Sequence, residues 1–400
     1  MIRVAEALEI VRRACAAGPI ERVPLSEALG RVAARNVASD VDWPPFDTSA
    51  MDGYAVRVAE AARGTLRERA GLVAAGDPPP AALASGEAVR VMTGAPLPAG
   101  TEAVVPVEVA RRDAGTMRAE QAPAPGEHVR RRGESVRAGA ILVPVGRRLA
   151  AADVSLAALA GADPIACHAR PRVAIAVTGS ELVPADATPG PGQLRDSNGP
   201  MLAALVRARG GVPEVRRAVA DTPEAVGRLF EEAGGGADLL VTSGGVSAGD
   251  LDLLPAGAER AGFEMLFHGV AMRPGKPVAF ARRGCVLWLG LPGNPVSSAV
   301  CFQLFGAMAL DALSGLPDPG PRFVEARLAC AVSVRGRRET FRDAVLSAES
   351  GALRVRPLET LGSHDLAAHG LANAAIRIPA DAERLAEGAL VECLALRPLP

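Results

Sequence analysis

Three segments of this 400-residue chain carry side chains suited to chemistry on phosphorylated ligands. They are Thr178-Gly179-Ser180-Glu181, the run from Ser243-Gly244-Gly245 to Asp250-Leu251-Asp252, and Leu291-Pro292-Gly293-Asn294-Pro295. Each follows a short apolar run. Glycine lets a ligand approach the backbone closely, and the free N–H groups of a following helix start attract phosphate. The carboxylates of Glu181, Asp250 and Asp252 supply the oxygen donors that a hard cation takes, so a phosphorylated ligand with Mg2+ is the chemistry they suggest. None of the loops is a P-loop or a dinucleotide fingerprint, and any one of them alone is ordinary turn chemistry. A fourth segment, Arg273-Pro274-Gly275-Lys276-Pro277, contains the one lysine among 44 basic residues. Its tight turn can aim the Arg273 fork and the Lys276 point charge at one phosphate or oxyanion; a solvated turn is the plainer alternative. Asp52 and Thr93 lie in polar turns, Phe46–Val56 and Val91–Pro96. Asp196-Ser197-Asn198 and Asp221 precede helical patterns, where capping is the simplest use. Five histidines and six scattered cysteines show no metal or disulfide spacing.

These loops need elements to hold them. Residues 172–177, 214–219, 237–243, 277–281 and 285–290 read as strands, and 199–210, 222–233 and the stretch to about 314 as helices. Alternating apolar strands and helices predict a doubly wound, mostly parallel sheet, with ligands at the carboxyl ends of the strands. Residues 1–37 and 150–162 have helical spacing. Residues 87–94 and 102–110 read as short strands in a β-rich unit over 47–130, inserted into a helical unit. After the Pro/Gly linker at 315–320, alternation predicts a small β domain. We therefore expect an α/β multidomain chain: a helical linker and dimer domain (1–46 plus 131–170), the inserted β-rich domain (47–130), the α/β domain (171–317) and a C-terminal β domain (318–400).

A net charge of −1 argues against nucleic-acid binding driven by overall charge. The Arg130-Arg131-Arg132 run reads as a solvated face. The charged, amphipathic start is unlike a signal peptide. We expect no uncharged run of the ~18 residues that a bilayer crossing needs, and hence a cytoplasmic protein without a membrane partner.

The motifs together resemble the molybdopterin molybdenumtransferase family, also called MoeA, which includes the gephyrin E domain. The resemblance rests on PPFDTSAMDGYAV (44–56), VMTGAPLPAGTEAVVPVE (91–108), VRRRGE (129–134), VTGSEL (177–182), RDSNGPML (195–202), LLVTSGGVSAGD (239–250), MRPGKPVAF (272–280), LPGNPVSS (291–298) and LGSH (361–364). They stand in the family's order and span nearly the whole chain. The resemblance implies that 171–317 is a molybdopterin-binding domain, that the C-terminal domain is barrel-like, and that the chain forms an elongated homodimer whose clefts draw on both subunits. It implies a Mg2+-dependent reaction that takes adenylated molybdopterin and molybdate, releases AMP and places molybdenum on the dithiolene sulfurs. A molybdopterin adenylyltransferase and molybdoenzyme chaperones would be further partners.

Carried over by motif, Asp52 and Thr93 would reach the cleft from the β-rich domain. Glu181, Asp221 and Asp252 would handle cation and pyrophosphate, with Glu181 and Asp252 as metal ligands. Ser243, Gly244 and Gly245 would line the nucleotide. Arg273 and Lys276 would bind phosphate or molybdate, helped by Pro292, Ser297 and the Ser363 loop, and Asp250, Gly293, Asn294, Pro295 and Arg342 would be further substrate-binding residues. The chain departs from the family pattern at Ser135, where an aspartate is usual, and at Leu253-Leu254-Pro255, where a lysine is common. A binding or carrier paralogue and an adenylyltransferase-like enzyme are the alternatives.

Overall fold

Period-two burial builds the central sheet. In a strand, successive side chains point to opposite faces. Val173, Ile175, Leu239, Val241, Leu287 and Leu289 enter one core, while Ala174, Ala176, Leu240 and Trp288 enter a second on the other face. A sheet buried on both sides is the α/β signature. In the computed structural model, which describes residues 1–216, 222–232, 236–246, 253–333, 336–349 and 351–397, this sheet has six strands. Their order is Val212–Val215, Arg172–Val177, Leu239–Ser243, Val286–Leu291, Ala279–Arg283, Glu264–His268. The first four run parallel, and the last two are antiparallel additions. The helices Asn198–Ala208, Pro223–Glu232 and Leu254–Arg260 flank it.

The first 37 residues are not one helix. The helix is Val4–Ala14, and its Val4, Ala7 and Val11 pack into the α/β core. Pro19, Pro24 and Gly30 break the pattern beyond it. Ile20–Val23 pairs instead with Ile165–His168, and Val37–Ala38 with Ile141–Val143. The linker unit is thus mostly short strands around the helix Ala151–Leu159, whose Asp153 accepts the Ala150 N–H at 2.8 Å. The inserted unit is a six-stranded sheet that includes Gly53–Val56, Glu87–Val91 and Ala103–Pro106.

Residues 284–310 contain no charged side chain, contrary to the expectation of no long uncharged run. The continuous helix Pro295–Leu313 is long and apolar enough to cross a bilayer, but 94% of its apolar window is buried inside the protein. It is the core helix beneath the sheet, contributing Val300, Phe302, Leu304, Phe305 and Leu310 to one cluster.

The C-terminal strands Phe323–Leu328, Glu339–Glu349, Ala352–Pro357, Ala374–Ile378 and Leu390–Ala395 close into a small barrel, because Glu339–Glu349 pairs with both Ala352–Pro357 and Ala374–Ile378. The two-residue strand Met272–Arg273, from the α/β part of the chain, pairs in parallel with Glu339–Thr340. This stitch carries the Arg-Pro-Gly-Lys-Pro turn onto the barrel.

The two candidate cavities

Three glycine loops converge at the carboxyl ends of the parallel strands. The Thr178 N–H donates to Ser243 O at 2.9 Å and the Gly244 N–H to Leu291 O at 3.0 Å. Gly244 sits at φ +99°, and a Cβ there would lie 2.5 Å from Thr178 Oγ1, so only glycine permits this approach. The loops enclose a cavity of about 620 Å3 lined by Thr178, Glu181, Asp196, Asn198, Gly244, Gly245 and Asn294, among others. Below it, Asn198 Nδ2 donates to Ser243 Oγ at 2.9 Å and Gly293 O at 2.7 Å. Ser243 Oγ in turn donates to Pro292 O at 3.2 Å. The Gly293 carbonyl can only accept, so it fixes which end of the amide is nitrogen. Among the described residues, Asn198 Oδ1 and Thr178 Oγ1 are then buried polar atoms with no partner. Both residues are more than nine-tenths buried. An unsatisfied buried polar group is costly, and a ligand offering N–H or O–H groups in this cavity would satisfy both.

The helix starts here are less open to phosphate than the loop pattern predicts. Asp196 Oδ1 accepts the Gly199 N–H at 2.9 Å, which is the expected capping use. Pro295 has no N–H, and the Val296 N–H donates to Ser363 O at 3.2 Å. Attraction for an anion therefore falls to side chains, and these gather next door. A second cavity of about 640 Å3 is lined by Arg273, Lys276, Arg338 and Arg342, with Ser297, Ser363 and His364. Among the described residues, none of its four cations forms a salt bridge. Its one acid, Asp343, is held by His369 at 3.0 Å. Gly275 positions the turn: at φ +105° its missing Cβ would lie 2.3 Å from Cys301 Sγ. Burial pushes the Cys301 thiol far up, so it supplies no thiolate nucleophile.

The structure brings together most residues expected from the motifs. Glu181, Ser243, Gly244, Gly245, Gly293, Asn294 and Pro295 line the first cavity, and Arg273, Lys276, Ser297, Arg342 and Ser363 the second. Pro292 acts through its carbonyl, beneath Ser243. Asp221, Asp250 and Asp252 lie outside the described residues. Asp52 and Thr93 are with each other rather than in either cavity. The Thr93 N–H donates to Asp52 Oδ1 at 2.7 Å and holds that carboxyl below the usual range. Met51 and Met92 beside them are exposed. The two departures are also placed. Leu254 is buried beneath Gly245 and opens a helix with Pro255 in its first turn, and Ser135 is exposed, its N–H on Trp43 O. Arg131 and Arg132 of the basic run are paired with Asp47 and Asp42, at 2.7 Å each.

Thr178, Asn198, Arg338 and His364 are the site residues that sequence reasoning missed. The first two stood in motifs as Thr-Gly and Asp-Ser-Asn but looked like turn and cap residues. Arg338 carries no signal in an arginine-rich chain. His364 stands in the LGSH motif, but without metal spacing or an arguable triad it carries no role in the sequence.

Among the described residues, no three His, Cys, Asp or Glu cluster tightly enough to hold a metal by themselves. Mg2+ commonly takes one or two carboxylates and completes its shell with substrate oxygens and water, so the Glu181 carboxylate in the first cavity fits such a cation.

Comparison with known proteins covers the whole molecule. The family "MoeA N-terminal region (domain I and II)" matches residues 2–161, "Probable molybdopterin binding domain" residues 174–312, and "MoeA C-terminal region (domain IV)" residues 325–396. The chain is 36% identical over 377 residues to a molybdopterin molybdenumtransferase 2 of Mycobacterium tuberculosis, covering 92% of each. It is 31% identical over 401 residues to a molybdopterin molybdenumtransferase of Bacillus subtilis, covering 97% of this chain and 93% of the relative. The crystal structure of a molybdopterin biosynthesis MoeA protein from Pyrococcus horikoshii matches over 100% of both chains, with a TM-score of 0.86 and 31% identity.

Proposed function

The chain belongs to the MoeA family of molybdopterin molybdenumtransferases, enzymes of molybdenum cofactor biosynthesis, and on that premise we propose that it inserts molybdate into adenylated molybdopterin and releases AMP with Mg2+. The observation that carries this is the pair of adjoining cavities of unlike chemistry. The strand-end cavity, with a carboxylate, unsatisfied polar atoms and ligand-sized volume, suits a pterin bearing an adenylated phosphate. The neighbouring cavity, with four cations, suits a tetrahedral dianion such as molybdate.

The roles follow from the chemistry. Glu181, with Asp252, would hold Mg2+, and a cation there would supply charge to offset that of the pyrophosphate oxygens. Gly244 and Gly245 give the ligand close backbone approach, and Thr178 and Asn198 accept its N–H or O–H groups. Arg273, Lys276 and Arg342, with Ser297 and Ser363, hold the oxyanion. Asp52 and Thr93 lie outside both cavities of their own chain, beside exposed Met51 and Met92, which favours a homodimer in which they serve the partner's site. The carrier and adenylyltransferase alternatives gain nothing from the comparisons, since the curated relatives are named molybdenumtransferases along most of the chain.

Purified chain given adenylated molybdopterin, molybdate and Mg2+ is expected to release AMP and yield cofactor that reconstitutes an apo-molybdoenzyme. Binding without AMP would instead favour the carrier, and ATP-dependent pyrophosphate release from molybdopterin the adenylyltransferase. Mixed dimers test the shared site. Asp52→Ala and Lys276→Ala chains, each inactive alone, are expected to regain about a quarter of wild-type activity when statistically re-paired, because half of the dimers are mixed and each mixed dimer has one intact site. No recovery would sink the shared-site reading.

A further inference from the structure

His364 is the one described residue that lines both cavities. Its loop is tied on every side. The Asn294 Nδ2 donates to Ser363 Oγ at 3.1 Å, and the Val296 N–H to Ser363 O. Asp365 accepts the Leu361 and Ala368 N–H groups at 3.0 and 3.1 Å, which hold its carboxyl below the usual range. Asp343 grips both ends of the segment, its carbonyl taking the Leu358 N–H at 2.8 Å and its carboxylate meeting His369. The loop thus holds His364, itself exposed, at the border between the two compartments.

Chemistry at that border requires proton transfer. Molybdate and an enedithiol combine with two Mo–S bonds made and one Mo–O bond broken. MoO4 2− plus the dithiol, carrying two S–H protons, gives a trioxo-dithiolene dianion and one water. Molybdenum stays at its highest oxidation state, so no electrons move, but two protons must pass from sulfur to the departing oxygen. The groups facing His364 divide by capability. Arg273, Lys276, Arg338 and Arg342 stand on the cationic side and Arg195 on the other; these side-chain classes bind oxyanions as fixed charges rather than pass protons. Glu181 and Asp196 stand in the strand-end cavity, Asp343 is occupied by His369, and Asp365 by two backbone N–H groups. Histidine as a side-chain class both gives and takes a proton between about pH 5 and 8.

We propose that His364 is the acid–base residue of molybdenum insertion, giving its proton to the departing oxo group and taking the next from a dithiolene thiol. This rests on the placement of molybdate and pterin above. The test uses the full-length chain with adenylated molybdopterin, molybdate and Mg2+, comparing wild type with His364→Gln and His364→Ala. Both variants are expected to lower kcat for insertion about a hundredfold, with the KM for molybdate and the binding of adenylated molybdopterin changed less than twofold. The wild-type dependence of kcat on pH between about 5 and 8 is expected to vanish in both variants, and added imidazole to restore part of the rate in His364→Ala. A variant with wild-type kcat and pH profile, or a defect confined to KM, overturns the proposal and leaves the functional reading standing. A wild-type chain that inserts no molybdenum overturns the reading beneath it.

Discussion

Lys276→Ala is expected to reduce molybdate insertion by about 10²- to 10³-fold in kcat/KM, the loss typical of removing one preorganised charge from a site where negative charge is handled. Lys276 is exposed at the mouth of its cavity, so alanine removes the ammonium without opening the core. The turn is held from behind, by Gly275 against Cys301 and by the Val270 N–H on Lys276 O at 2.9 Å. The binding of adenylated molybdopterin should persist, because its cavity is the other one. Lys276→Arg is expected to remain impaired, by about tenfold, since a planar fork does not reproduce a compact ammonium. Steady-state rates over a molybdate titration, with ligand binding measured separately, decide the matter. Wild-type kcat/KM in the alanine variant would remove Lys276 from the oxyanion site.

The second large effect concerns stability. Asp311 is buried in the core helix and takes Arg148 at 3.0 Å and Arg209 at 3.1 Å. Burial raises the Asp311 carboxyl above its usual range and lowers the Arg209 guanidinium below its own. Both directions say that desolvation outweighs the pairing, and in that regime removing one partner is far worse than removing both. Asp311→Ala is expected to destabilise the fold by about 3–5 kcal/mol, seen as a lower urea midpoint of the transition that reports the α/β domain. Asp311→Leu combined with Arg148→Met and Arg209→Met, which removes all three charges, should recover most of that loss. A single alanine variant within about 1 kcal/mol of wild type would contradict the account.

The α/β domain was readable from sequence because its strands are apolar on both faces and its loops fall at regular exits. The strand Arg172–Val177 matches its expected bounds, and the following helix starts within a residue of them. The N-terminal segment misled because amphipathic spacing in Val4–Ala14 continues by chance into residues whose prolines and glycine forbid a helix. The uncharged stretch 284–310 shows why local texture cannot distinguish a core helix from a membrane span: only its neighbours do. The cavities were half legible. Motif glycines and the lone lysine announced them, but His364 acquires meaning only because Ser363 is tied to Asn294 and Val296, 69 and 67 positions earlier in the chain. No spacing rule reaches across such a gap.

The stitch between Met272–Arg273 and Glu339–Thr340 bears on how the molecule could be dissected. Connectivity invites a cut at the linker near residue 317, separating an α/β piece from a barrel piece. Such a cut would strip His364 from the strand-end cavity, whose other described lining residues stay on one fragment, and would share out the four cations, Arg273 and Lys276 to one piece and Arg338 and Arg342 to the other. The oxyanion chamber is therefore a property of the reassembled pair. As modules for engineering, the two halves are inseparable for the metal, and the pterin cavity too would lose the His364 wall.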